Sequence, residues 1–179
     1  MRKLFLLLLV LAAAPLRAGE ATIQFRIRGL FDVQRVEELK AQAATVADFR
    51  IVAVDYDSAT ATFAYADDKP PFKGAKPESL ERGFRERLNG ATRGNFSVLP
   101  LAPLPRTQWQ EVRIGIAGVD CRGCSFGAYN AVAELDGVLR ATASFKDGLL
   151  IAWIDPAKTN REALEAALKK RNIDVTPAK

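Results

Sequence analysis

The chain has 179 residues, room for two small domains or one of ordinary size, and carries 26 Lys and Arg against 21 Asp and Glu, a formal net charge of +5. It holds two Cys, one Met (the first residue) and no His. Imidazole ligation and every catalytic arrangement with a His base are thereby excluded, so soft metal chemistry has to run through thiolates.

In chain order, Arg2 and Lys3 precede an apolar run over residues 4–14, and Pro15-Leu16-Arg17-Ala18 follows. A positive start, a short apolar core and a small residue before a polar junction predict a secretory signal peptide, residues 1–18, cut after Ala18. The run is short for a bilayer span and no second one follows, so no stable membrane insertion is expected once the signal is removed. The implied location is periplasmic or secreted. Arg2, Lys3 and Arg17 leave with the signal and no acid does, so 23 basic residues remain against 21 acidic, a net of +2. That balance gives no argument for nucleic acid, whose binding needs clustered cations.

Residues 19–99 open with Ile23, Phe25 and Ile27 alternating with polar neighbours, the period of a half-buried strand, up to Gly29. A helix over residues 32–46, strands near 49–56 and 60–66, a helix over 77–88 and a last strand over 95–99 follow. The insertion 67–76, with two prolines and a glycine, reads as a surface loop, and Pro77 suits a first helical turn. Residues 100–108 contain Pro100, Pro103 and Pro105, a stiff extended linker.

Residues 109–179 repeat the order. Val112, Ile114 and Ile116 form the first strand, and a helix over residues 122–135 carries Ala128, Val132 and Leu135 on one face. Strands at 138–145 and 149–154 are joined by Lys146-Asp147-Gly148, a hairpin signal. Thr159 stands three before Glu162, a capping box that would open a helix through about Lys170, and residues 173–175 close the unit. At an offset of 89, Ile23, Phe25, Ile27 and Gly29 fall on Val112, Ile114, Ile116 and Gly118. The fold class is α+β: two tandem ferredoxin-like β-α-β-β-α-β domains after a signal peptide, each with two helices on one face of a four-stranded antiparallel sheet.

Cys121-Arg122-Gly123-Cys124 is the chain's chemically equipped segment. A Cys-x-x-Cys pair has metal, redox and structural readings. Here a strand ends at Gly118 and a helix begins, which sets Cys121 on the loop and Cys124 in the first turn, with both sulfurs to one side. The helix start favours thiolate, and Arg122 is placed to offset negative charge. Two thiolates suit Cu(I) or Hg(II) better than a closed tetrahedral zinc site.

Gly118-Val119-Asp120-Cys121-Arg122-Gly123-Cys124, Leu135-Asp136-Gly137-Val138, Asp155-Pro156 and the stretch from Leu164 to Leu168 together resemble the heavy-metal-associated domain family. That family comprises small copper chaperones, periplasmic mercury carriers and amino-terminal modules of metal-pumping ATPases. The resemblance covers residues 110–176 and implies Cys121 and Cys124 as ligands. Cu(I) is the favoured cargo, with Hg(II), Zn(II) and Cd(II) as others, and the implied partner is a metal-transporting ATPase or another metal-binding domain. The sequence departs from the family at Val119, where Met is usual, and at Asp120, where Thr is common. In zinc-, cadmium- or lead-associated members an Asp there resembles a third, carboxylate ligand; it also reads as a helix cap or a solvent-facing group. Arg171-Asn172-Ile173 stands where Tyr or Lys often lies near the site, and Lys170 and Arg171 read as a solvated helix end. In the first half the offset places Asp32 and Arg35 at the cysteine positions, a solvated opposite-charge pair. Residues 19–99 thus look like a degenerate, cysteine-free copy serving as spacer, docking surface or dimerisation module.

The expected function is that of an exported, non-enzymatic metal-binding protein that passes its ion on by ligand exchange. A thiol–disulfide protein, or an interaction module with a structural disulfide, is the alternative. Glu37-Glu38 and Glu78 with Glu81 read as solvated helix faces, and Trp109, Trp153, Phe126 and Tyr129 as core or core edge.

Overall fold

The computed structural model describes residues 20–178; the expected signal peptide, residues 1–18, lies outside them. The first unit runs β1 (Ala21–Arg28), α1 (Arg35–Ala43), β2 (Phe49–Asp55), β3 (Thr60–Tyr65), α2 (Pro77–Ala91) and β4 (Ser97–Leu99). The second runs β5 (Gln110–Ala117), α3 (Arg122–Ala133), β6 (Val138–Ser144), β7 (Leu149–Ile154), α4 (Arg161–Lys170) and β8 (Asp174–Thr176). Strand orders are β2-β3-β1-β4 and β6-β7-β5-β8, with every pairing antiparallel. This is the expected α+β pair of ferredoxin-like sandwiches. The offset of 89 extends to register, since Ile23 faces Phe63 on β3 as Val112 faces Ala152 on β7.

Each sheet turns its alternating apolar residues toward its helices. In the first unit Leu80, Phe84 and Leu88, one turn apart on α2, bury against Phe25, Ile27, Phe49 and Phe63. Phe84 centres this cluster, with ring centroids of Phe49 and Phe63 at 4.9 and 5.3 Å. In the second, Ala128, Tyr129 and Val132 of α3 and Leu164 and Leu168 of α4 cover Val112, Ile114, Ile116, Leu150, Ala152 and Ile154.

Element ends differ from expectation where side chains compete for backbone groups. α1 begins at Arg35, not residue 32, because Asp32 Oδ1 accepts from Gln34 N at 2.8 Å and holds a turn there. α4 is capped by Asn160, whose Oδ1 accepts from Ala163 N at 2.9 Å, so the Thr159–Glu162 capping box does not form. The insertion 67–76 is not wholly a surface loop: Phe72 is buried, its ring 4.6 Å from that of Phe84. Between the sheets, residues 100–105 form no helix or strand and Arg106–Gln108 makes a single 3₁₀ turn.

The two units pack together through the loop joining β1 to α1, which answers to the cysteine loop of the second unit. Phe31 on that loop belongs to the second unit's core, 3% exposed, with the rings of Phe126 and Tyr129 at 5.5 and 5.6 Å. Ala143 N on β6 donates to Phe31 O at 3.2 Å, and Gly29 N donates to the Tyr129 hydroxyl at 2.8 Å. Arg26 Nη1 donates to Leu139 O at 2.7 Å, and Arg140 lies over the Tyr56 ring, 4.8 Å from its centroid. Buried polar groups of both units thus find their partners across the contact.

Candidate metal centre

β5 is followed by Gly118 at φ +71°, a left-handed residue that turns the chain toward α3. Val119 tucks beneath the loop, buried as its apolar character requires. Cys121 is the N-cap of α3, with extended backbone, and its Sγ accepts from Cys124 N at 3.1 Å. A sulfur therefore does what a Ser or Asp oxygen does at most helix starts: it satisfies an N–H that has no partner inside the helix. The same N–H favours negative charge on that sulfur, as does the positive end of the helix.

Cys121 and Cys124 have Cα atoms 5.1 Å apart and are joined as a disulfide. Asp120 Oδ1 lies 3.4 Å from Cys124 Sγ. One ligand atom from each of Asp120, Cys121 and Cys124 falls within 4.8 Å of the others, with Asp120 and Cys121 exposed and Cys124 half-buried. Asp120 does not cap α3, the Cys121 sulfur having taken that place, so its carboxylate remains beside the sulfurs. Reduced, the cluster presents two soft donors and one hard one on an exposed loop.

On the open side of α3 an outer groove is lined by Gly118, Val119, Cys124, Gly127, Asn130 and Arg171. Arg171 is exposed there, at the end of α4. The opposite side of α3 meets the first unit. Arg122, between the cysteines, sets Nη2 2.6 Å from Glu38 Oε1. Glu38 is thus not on a purely solvated face, whereas its neighbour Glu37 pairs with Lys40 at the surface.

The Asp32/Arg35 expectation is corrected as well. Arg35 is 8% exposed, and its partner is not Asp32. Its guanidinium donates to Gly29 O at 3.0 Å, Asn95 O at 3.1 Å and Glu38 Oε2 at 2.6 Å, and lies 4.2 Å from the centre of the Phe96 ring. The first unit's would-be ligand loop is therefore plugged by its own arginine. Phe31, Glu38 and the buried Arg35 carried no local sequence signal, because the groups that make them matter are distant in the chain. Tyr129 is core, as expected, and burial pushes its hydroxyl above the ordinary tyrosine value, against the Gly29 N–H that pulls it down.

A stretch of 75 residues is 29% identical to the mercuric transport protein periplasmic component of Salmonella typhi, covering 40% of this chain and 82% of that protein. The proteins of the same name from Enterobacter agglomerans and Enterobacter cloacae match equally. The likeness of residues 110–176 to heavy-metal-associated domains stands. No protein-family profile matches the chain. Among solved structures, oxidized MerP from Ralstonia metallidurans CH34 is 22% identical, covering 38% of this chain and 94% of its own, at TM-score 0.37. The N-terminal soluble domains of Bacillus subtilis CopA are 12% identical, covering 88% of this chain and 92% of theirs, at TM-score 0.36.

Proposed function

We propose that this chain is an exported carrier of a soft metal ion, held by the thiolates of Cys121 and Cys124 and handed on by ligand exchange, without catalysis. The observation that carries the reading is the convergence of the Asp120, Cys121 and Cys124 ligand atoms within 4.8 Å on an exposed loop. The mercuric transport relatives and the amino-terminal signal pattern support it, and support a periplasmic or secreted location. Among the described residues no helix is long and apolar enough to cross a membrane.

In the transfer step an incoming thiolate adds to the bis-thiolate ion to give a three-coordinate intermediate. One of Cys121 and Cys124 then leaves, and the second follows when another donor thiolate adds. Exposure of Cys121 admits the incoming ligand, and low coordination keeps each step shallow. Cu(I) is the favoured cargo and Hg(II) the next; binding of Asp120 as a third ligand extends the site to Zn(II) or Cd(II). The partner is a metal-transporting ATPase or another thiolate-bearing metal-binding domain. Competition titration of the reduced mature chain against Cu(I), Hg(II), Zn(II) and Cd(II) tests this. Binding no tighter than in Cys121→Ser and Cys124→Ser refutes it.

A thiol–disulfide role is the second reading, favoured by the Cys121–Cys124 disulfide itself. Insulin reduction or thiol exchange at rates well above those of a small dithiol would move the assignment to it.

A further inference from the structure

Arg122, the first of the two residues between the cysteines, is held by the other unit. Glu38 uses one carboxylate oxygen for Arg35, at 2.6 Å, and sets the other 2.6 Å from Arg122 Nη2. Arg35 is fixed by Gly29 O, Asn95 O and the Phe96 ring, so Glu38 cannot swing away without leaving that anchor. Arg122 Nε and Nη2 are shielded from solvent and neither makes a hydrogen bond, so the contact with Glu38 is an ion pair with the N–H directed off the oxygen. Shielded N–H groups without acceptors are costly, and they leave Arg122 with donor capacity in reserve.

We propose that Glu38 is a positioning residue for the metal loop, holding the Arg122 guanidinium in competition with the negative charge of reduced or metal-bearing Cys121 and Cys124. In the disulfide the sulfurs are uncharged and weak acceptors, and Glu38 is the stronger partner. Loading with Cu(I) gives the two-thiolate site a net negative charge, and reduction frees sulfurs able to carry one, immediately before Arg122 and two residues after it; two anionic sites then compete for one cation. The first unit would thereby restrain affinity at a site to which it contributes no ligand. The inference rests on the metal-carrier reading for its metal readout but not for its redox one.

The test uses the full mature chain as wild type, Glu38→Gln, Arg122→Gln and the double variant. Cu(I) affinity is read by competition with a colorimetric chelator. The dithiol–disulfide balance is read against glutathione: two glutathione thiols supply two electrons to the Cys121–Cys124 bond and leave as one glutathione disulfide, their two protons dividing between the freed sulfurs and solvent. Glu38→Gln is expected to tighten Cu(I) binding by about two- to fivefold and to shift the balance toward dithiol, the range of a partly exposed ion pair. In the Arg122→Gln background both changes should fall away. Glu38→Asp, which withdraws the carboxylate by one methylene, should move both readouts in the same direction as Gln and serves where the Gln variant folds poorly. No change in either readout, or equal changes in both backgrounds as a through-space effect of one lost charge would give, overturns the proposal. A wild type that binds no Cu(I) defeats the carrier reading, and the glutathione arm then decides the role of Glu38 alone.

Discussion

Phe31→Ala is the sharpest probe of the contact between the units. The side chain is 3% exposed although it leaves from a loop of the first unit, and its ring meets Phe126 and Tyr129 of the second at 5.5 and 5.6 Å. Truncating a buried Phe costs about 3–5 kcal/mol, and here that includes two aromatic pairs of about 0.5–1.5 kcal/mol each. In a chain of this size 1 kcal/mol moves Tm by about 2–4 °C, so a fall on the order of 10 °C is expected. Both Trp residues, Trp109 and Trp153, lie after the first sheet, so their fluorescence reports the second unit while far-UV circular dichroism reports both. The two signals should melt together in the wild type and separate in Phe31→Ala, as loss of the contact uncouples the units. Val33→Ala, two residues on and 62% exposed, is the control and should change stability by less than about 0.5 kcal/mol. A Phe31→Ala protein as stable as that control would refute the interlocked arrangement.

Other expectations follow from single contacts. Asp120→Asn should weaken Zn(II) or Cd(II) binding by roughly tenfold while leaving Cu(I) within about twofold, since only the higher-coordinate ions gain from a hard third ligand; isothermal titration of the reduced chain measures both. Gly118→Ala should cost only the backbone strain of a left-handed residue, about 1–2 kcal/mol, because its added Cβ meets nothing; Gly29→Ala should cost clearly more, because its Cβ would strike Asn95 O, and urea unfolding ranks the two. Burial raises the Tyr129 hydroxyl above its unfolded value, so the unfolded chain loses that proton first. The associated stability is present below about pH 10 and is lost as pH climbs through the folded value. Tyr129→Phe should flatten that alkaline fall in a series of melts, while losing about 1 kcal/mol at neutral pH with the Gly29 hydrogen bond.

Periodicity made the architecture legible because it reports which face of an element is buried. The apolar run over residues 149–154 matches β7 to the residue, and the register of Ile23 with Phe63 and of Val112 with Ala152 keeps the offset of 89. Helix ends were less legible where several capping groups stand together, as Thr159 and Asn160 do, or where Asp32 holds a turn in front of α1. In the cysteine loop the placement of Cys121 on the loop and Cys124 in the first turn was readable, but the cap was not, because the Cys121 sulfur takes the place that Asp120 also offered. What stayed hidden is long-range. Nothing local tells that Phe31 enters another unit's core, that Arg35 is buried, or that Glu38 meets Arg122 across 84 positions of chain.

The central claim is that Cys121 and Cys124 hold one ion between them. Native mass spectrometry of the reduced mature chain, mixed with one equivalent of Cu(I) or Hg(II) under argon, tests it most directly. One ion per chain, lost in both Cys121→Ser and Cys124→Ser, is the predicted result. An ion retained by either Ser variant at equal occupancy, or none bound by the wild type, would contradict it.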